Sequence, residues 1–129
     1  MVEQDYYMRI VKDLGRMISR LLFNKFEPEY IFQEDETMQE EMNYKEVLQM
    51  LEAGDINGAE NLLYQYMEDG DDVYLEMALD FYDRVNEYDN DYLEDHDYSR
   101  EEVSDGINHV LESYQVDVDL SALNSIKVD

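Results

Sequence analysis

With 129 residues, 44% of them apolar and none of them cysteine, the chain is long enough to bury a core and can form no disulfide or thiolate site. Its net charge of −25 argues against nucleic acid as a ligand, because phosphates would be repelled. The longest apolar runs are three residues, such as Leu21-Leu22-Phe23, so no membrane-spanning segment is expected.

The charge is unevenly spread. Residues 1–26 hold five bases (Arg9, Lys12, Arg16, Arg20, Lys25) and three acids (Glu3, Asp5, Asp13), a balance of +2. The remainder holds four bases and 31 acids, a balance of −27. Basic partners, cations or the chain's own first helix are the complements this predicts. The acidic start, Met1-Val2-Glu3-Gln4-Asp5, is unlike a secretory signal, and with the lack of cysteine it points to the cytoplasm.

Asp5 to Phe26 reads as one long helix. Tyr7, Ile10, Val11, Leu14, Met17, Ile18, Leu21 and Leu22 keep the helical period, and Arg9, Lys12, Arg16 and Arg20 ride the other side. Pro28 is expected to end the element. Glu29–Glu36 reads as a loop with Tyr30, Ile31 and Phe32 as an aromatic and apolar anchor. Thr37-Met38-Gln39-Glu40 has the form of a capping box and opens a helix to Ala53. Its stripe is Val47, Leu48, Met50 and Leu51. Ala53-Gly54-Asp55 then turns the chain. Gly54 suits a left-handed cap, and Asp55 can accept from the N–H groups that open the next limb. That limb carries Ile56, Ala59, Leu62, Leu63, Tyr66 and Met67. Neither limb can bury its stripe alone, so the hairpin predicts a stacked helical fold.

Asp69-Gly70-Asp71-Asp72 predicts a turn, with Asp72 capping a helix from Val73 to Tyr88. Its stripe is Leu75, Ala78, Leu79, Tyr82 and Val85. Asp89–Asp97 reads as a polar connection carrying Tyr92 and Leu93. Ser99-Arg100-Glu101-Glu102 is a second capping box, opening a helix with Val103, Ile107, Val110, Leu111 and Tyr114 inward. Val116–Asp129 carries weak signals and is expected to be partly ordered.

The turn Ala53-Gly54-Asp55-Ile56 with Ala59 resembles that of a tetratricopeptide repeat. The likeness covers about thirty residues and lacks a copy at the 34-residue period. It implies a helix pair of that geometry. Asp5-Tyr6, Met8-Arg9-Ile10, Leu14-Gly15-Arg16, Leu21-Leu22-Phe23, Leu79-Asp80-Phe81-Tyr82 and Asp97-Tyr98-Ser99-Arg100 resemble a family of small acidic Firmicutes proteins of unknown function. That likeness implies no activity.

Four groups of residues carry candidate chemistry. Glu102, Asp105, His109 and Glu112 share one helical face, where carboxylates and imidazole could take a divalent cation. A single polar outer face is the plainer reading, and no metal is expected. His96, in Asp95-His96-Asp97, reads as part of a solvated loop. Asp89-Asn90-Asp91 begins like a calcium loop, but Leu93, Glu94 and Arg100 occupy positions where that loop needs other residues. No nucleophile motif or phosphate loop is present, so no enzyme and no cofactor are expected. Tyr64, Tyr66, Tyr74, Tyr82 and Tyr88 read as rings packed with their hydroxyls wet, or else as a Tyr- and Met-lined binding groove. The first helix reads as core or as a seam between copies through Tyr7, Ile10, Val11, Leu14, Gly15, Ile18, Leu21 and Leu22. Gly15 there suits a close helix crossing.

Together these predict one all-α domain. Residues 1–27 form a long basic amphipathic helix, residues 37–115 an acidic body of antiparallel hairpins, and residues 116–129 a tail. The expected function is a non-enzymatic protein–protein interaction module. It forms a homo-oligomer or takes a basic or amphipathic protein partner, with no membrane or nucleic-acid role. An acidic nucleic-acid mimic that occupies a basic protein site is the first alternative, and a metal-binding helical protein the second.

Overall fold

The computed structural model describes residues 2–33, 38–68 and 72–114. Its elements are α1 (Val2–Phe23), α2 (Gln39–Glu52), α3 (Ile56–Met67), α4 (Asp72–Asn86), α5 (Asn90–Asp95) and α6 (Arg100–Ser113). No strand occurs among the described residues, so the all-α class holds. The expected tail, Thr37 and the turn at Asp69-Gly70-Asp71 fall outside those residues.

α1 begins earlier than its apolar period suggested, and it stops at Phe23 rather than at Phe26. Pro28 is not what ends it. Asn24 takes a left-handed conformation (φ 55°), and the Lys25 N–H turns back to the Ser19 carbonyl at 3.1 Å. The chain then folds over α1, and Pro28 covers Gly15. A Cβ on Gly15 would lie 3.5 Å from Pro28 Cγ, so this glycine meets a returning loop and marks no close helix crossing. Tyr30 and Phe32 anchor that loop, as expected, whereas Ile31 points away from the core and is 68% exposed. The Tyr30 ring is buried and packs edge-on against Phe32 and Tyr44.

α2 starts at Gln39 with Met38 in the capping position and no side-chain cap bond. At the hairpin turn the predicted chemistry is present. Gly54 has φ 91°. Its N–H donates to Leu51 O at 3.0 Å and that of Asp55 to Met50 O at 3.0 Å, which satisfies two terminal carbonyls of α2. The Asp55 carboxylate accepts from Gly58 N–H at 2.9 Å and opens α3.

The hairpin is not the centre of the molecule. That place belongs to α4, which packs against α1, α2, α3 and α6 and has ten of its fifteen residues buried. The predicted stripe is buried, but so are Tyr74, Met77, Asp80, Phe81 and Asn86. Asp80 can be buried because its carboxylate accepts from Tyr30 N–H (2.8 Å), Tyr44 OH and Arg84 Nε (2.7 Å). Buried Glu41 likewise accepts from Tyr30 OH and from Gln33 N–H at 2.9 Å. These two carboxylates tie the loop after α1 to α2 and α4.

The stretch expected as a polar connection contains α5. Asp89 caps it by accepting from Tyr92 N–H at 2.8 Å, and Leu93 is fully buried. Asp97 ends it in a left-handed conformation (φ 59°). α6 opens with the predicted capping box between Ser99 and Glu102. Arg100 is buried and donates to the carbonyls of Asn86 (2.8 Å) and Tyr88, capping the end of α4.

Candidate functional site

α3 and α6 each lie on α4, and a trough runs between them. One part, about 260 Å³, is lined by Asn57, Glu60 and Tyr64 of α3 and by Glu102, Asp105, Gly106 and His109 of α6. The next, about 520 Å³, is lined by Tyr64, Met67, Glu68, Asp72, His109, Ser113 and Tyr114. Tyr64 and His109 belong to both parts, so the two are continuous. Their rings lie 5.0 Å apart, centre to centre.

Gly106 shapes the trough. A Cβ there would sit 2.3–2.4 Å from the Tyr82 ring, so only glycine lets that ring pass under α6. Tyr82 OH thereby reaches Glu60 Oε2 at 2.6 Å. Tyr98 OH donates to the same oxygen at 2.7 Å, and Tyr64 OH stands 3.4 Å from it and hydrogen-bonds Tyr82 OH. Burial, joined by the negative charge of Glu60, pushes the Tyr64 hydroxyl up to about 12. Burial first and the Glu60 charge second push Tyr82 and Tyr98 still higher. All three phenols therefore stay protonated at neutral pH and act as donors. No base makes an ion pair with Glu60 among the described residues. Among the described residues the network is a fixed carboxylate with no lysine or arginine paired to it.

The four residues considered for a metal are only partly gathered. Glu102, Asp105 and His109 line the trough, and Glu112 is exposed outside it. Among the described residues no group of three or more His, Cys, Asp or Glu side chains could hold a metal ion. His96 takes no part in the trough. Its ring stacks on Tyr92 at 4.0 Å and covers Gly54, and its Nδ1 bonds the Tyr92 carbonyl at 2.7 Å.

The residues expected at a seam between copies divide. Val11, Leu14, Gly15 and Ile18 are buried inside this chain, which corrects the seam reading for them, because α1 lies on α4 and α6. Ile10 is partly buried against the same core. Tyr7, Leu21 and Leu22 remain exposed, at 45%, 67% and 43%. Asp13, Arg16, Met17, Arg20 and Leu21 line a shallow hollow on the outer face of α1.

The tyrosine reading missed Glu60 and Tyr98 and expected wet hydroxyls, whereas those of Tyr64 and Tyr82 are bonded within the network. Gly106 makes room for it in the fold, but nothing in the sequence set that glycine apart. The family model that matches the chain, over residues 1–115, is described as a family of unknown function (DUF6483). No curated protein and no solved structure matches the chain.

Proposed function

The chain belongs to DUF6483, a family of unknown function, and from that premise we propose that it is a non-enzymatic protein–protein interaction module that self-associates through the outer face of α1. The observation that carries this is the stripe Asp13, Arg16, Met17, Arg20 and Leu21. Its members recur at i, i+3, i+4, i+7 and i+8, the spacing by which a helix packs on a partner. Leu21 is 67% exposed at its end, and Phe26, just beyond, is 77% exposed with the Arg20 guanidinium over its ring. The stripe is also self-complementary. Asp13 and Arg20 stand on either side of Met17, so two antiparallel copies about a two-fold axis set each Asp13 beside the partner's Arg20.

The buried core beneath α1 supplies a rigid platform for that face. The α2–α3 hairpin, whose turn is similar to that of a tetratricopeptide repeat, supports an interaction role, and the lack of cysteine supports a cytoplasmic setting. A concave trough also favours a module over a featureless acidic mimic.

Light scattering at micromolar protein tests the proposal. The expected mass is a multiple of 15.4 kDa. Arg20→Asp should return it to a monomer, and Asp13→Arg added to Arg20→Asp should restore assembly. A monomeric wild type overturns the reading, as does an oligomer indifferent to both substitutions.

A further inference from the structure

The trough between α3 and α6 is open among the described residues, and its chemistry is specific. We propose that it is a docking site for a basic segment of another protein, entered by arginine side chains.

Shape comes first. The two continuous hollows, about 520 and 260 Å³, can take a few side chains of an extended or helical segment. Their walls are aromatic, with Tyr64, His109 and Tyr114 around the larger one. A planar guanidinium stacks on such faces and is weakly hydrated, which favours arginine over lysine.

Charge fixes the sign of the ligand. Glu60 is held in place by the hydroxyls of Tyr64, Tyr82 and Tyr98, so it is oriented before anything binds. A half-buried carboxylate oriented in this way and left without a base is a receptor for a cation from outside. Glu68, Asp72 and Asp105 add to it and make no ion pair among the described residues, and among those residues no lysine or arginine lines either hollow. The chain's own cations are largely engaged elsewhere. Lys12, Arg16, Lys25 and Arg84 sit in ion pairs, and Arg100 is buried against carbonyls. A second copy is a poor occupant, since its cations are engaged in the same way as those of this one. A basic segment is drawn in by the field of these carboxylates.

Fluorescein-labelled octa-arginine and octa-lysine peptides, titrated into the full chain at 0.15 M salt, test the assignment by anisotropy. Octa-arginine should bind about fivefold tighter than octa-lysine, and Tyr64→Ala should erase that preference while Tyr64→Phe keeps it. Glu68→Gln with Asp105→Asn should weaken both peptides roughly tenfold, whereas Glu52→Gln with Asp91→Asn, an equal loss of charge elsewhere, should leave most of the affinity. Amide resonances of Gly106 and His109 should shift on titration. Equal losses from the two double variants, or shifts spread over α2 and α5, would show diffuse attraction to a polyanion and overturn the proposal. A monomeric mass in light scattering would leave it standing, because the trough does not involve the outer face of α1.

Discussion

Ser19 is 1% exposed, and its hydroxyl has no hydrogen-bond partner among the described residues. An unmet buried hydroxyl costs about 1–3 kcal/mol, and alanine is the better helix former. Ser19→Ala should therefore raise stability by about 1 kcal/mol, read as a higher urea midpoint at unchanged slope. Gly15 and Gly106 look alike in the sequence, each a glycine within a helix, yet they should respond in opposite directions. Gly15→Ala meets only Pro28 at ordinary contact distance and should stabilise by up to about 1 kcal/mol. Gly106→Ala drives a methyl into the Tyr82 ring and should destabilise by about 1–3 kcal/mol. Equal responses in thermal melts would refute this account of Gly106. The difference was not legible in the sequence, since it depends on what stands opposite each glycine and not on its neighbours in the chain.

At the scale of elements, what could be read was local. The capping box at Ser99, the left-handed Gly54 and the stripes of α3 and α6 follow from residues within a few positions of each other. α5 was missed because six residues, Asn90–Asp95, hold less than two turns and bring a single buried anchor, Leu93, so no period could show. The centrality of α4 was missed for a different reason. Asp80 looks like a surface residue until Tyr30 and Tyr44, 50 and 36 positions earlier, arrive to satisfy it. The trough has the same character, since Glu60, Tyr82 and Tyr98 meet only in the fold. The α2–α3 turn is sensitive to one side chain. Gly54 is left-handed, and the His96 ring would lie 2.8 Å from a Cβ, so α5 closes over the turn. Gly54→Val should cost more than about 1 kcal/mol, and an unmoved urea midpoint would refute the joint role of turn and cover.

For the molecule as a whole, pH and salt act on the same excess of carboxylates. Tyr64 titrates at about 12 in the fold and near 10 in the unfolded chain. A raised folded value means its contribution is complete below pH 10 and is lost as pH climbs through 12. Tyr30, Tyr44, Tyr82 and Tyr98 shift in the same direction, each chiefly by burial. Stability should thus be flat from neutral pH to about 10 and collapse above it, with phenolate absorbance rising together with unfolding. Separate, earlier ionisation of these phenols would contradict the network. Salt should raise the melting temperature, because screening lengths fall from about 30 Å at 0.01 M to about 8 Å at 0.15 M and like-charge repulsion dominates at −25. The opposing loss, at pairs such as Lys12–Asp83 (2.8 Å), is small because partly exposed pairs contribute about 0–1 kcal/mol each. A melting temperature that falls with added salt would mean that α1 is held mainly by charge.

The chain has twelve tyrosines and no tryptophan, so its intrinsic fluorescence is purely phenolic. Among the described residues the phenols at 30, 44, 64, 66, 82 and 98 point their hydroxyls at carboxylates. An excited phenol is a far stronger acid than one in its ground state, and it passes its proton to such a neighbour instead of emitting. The native protein should therefore be dark for its tyrosine content and should brighten as the carboxylates let go. A guanidinium that neutralises Glu60 where it stands would make it a poorer proton acceptor for Tyr64, Tyr82 and Tyr98, and the trough would report its own occupancy as light, with no label attached.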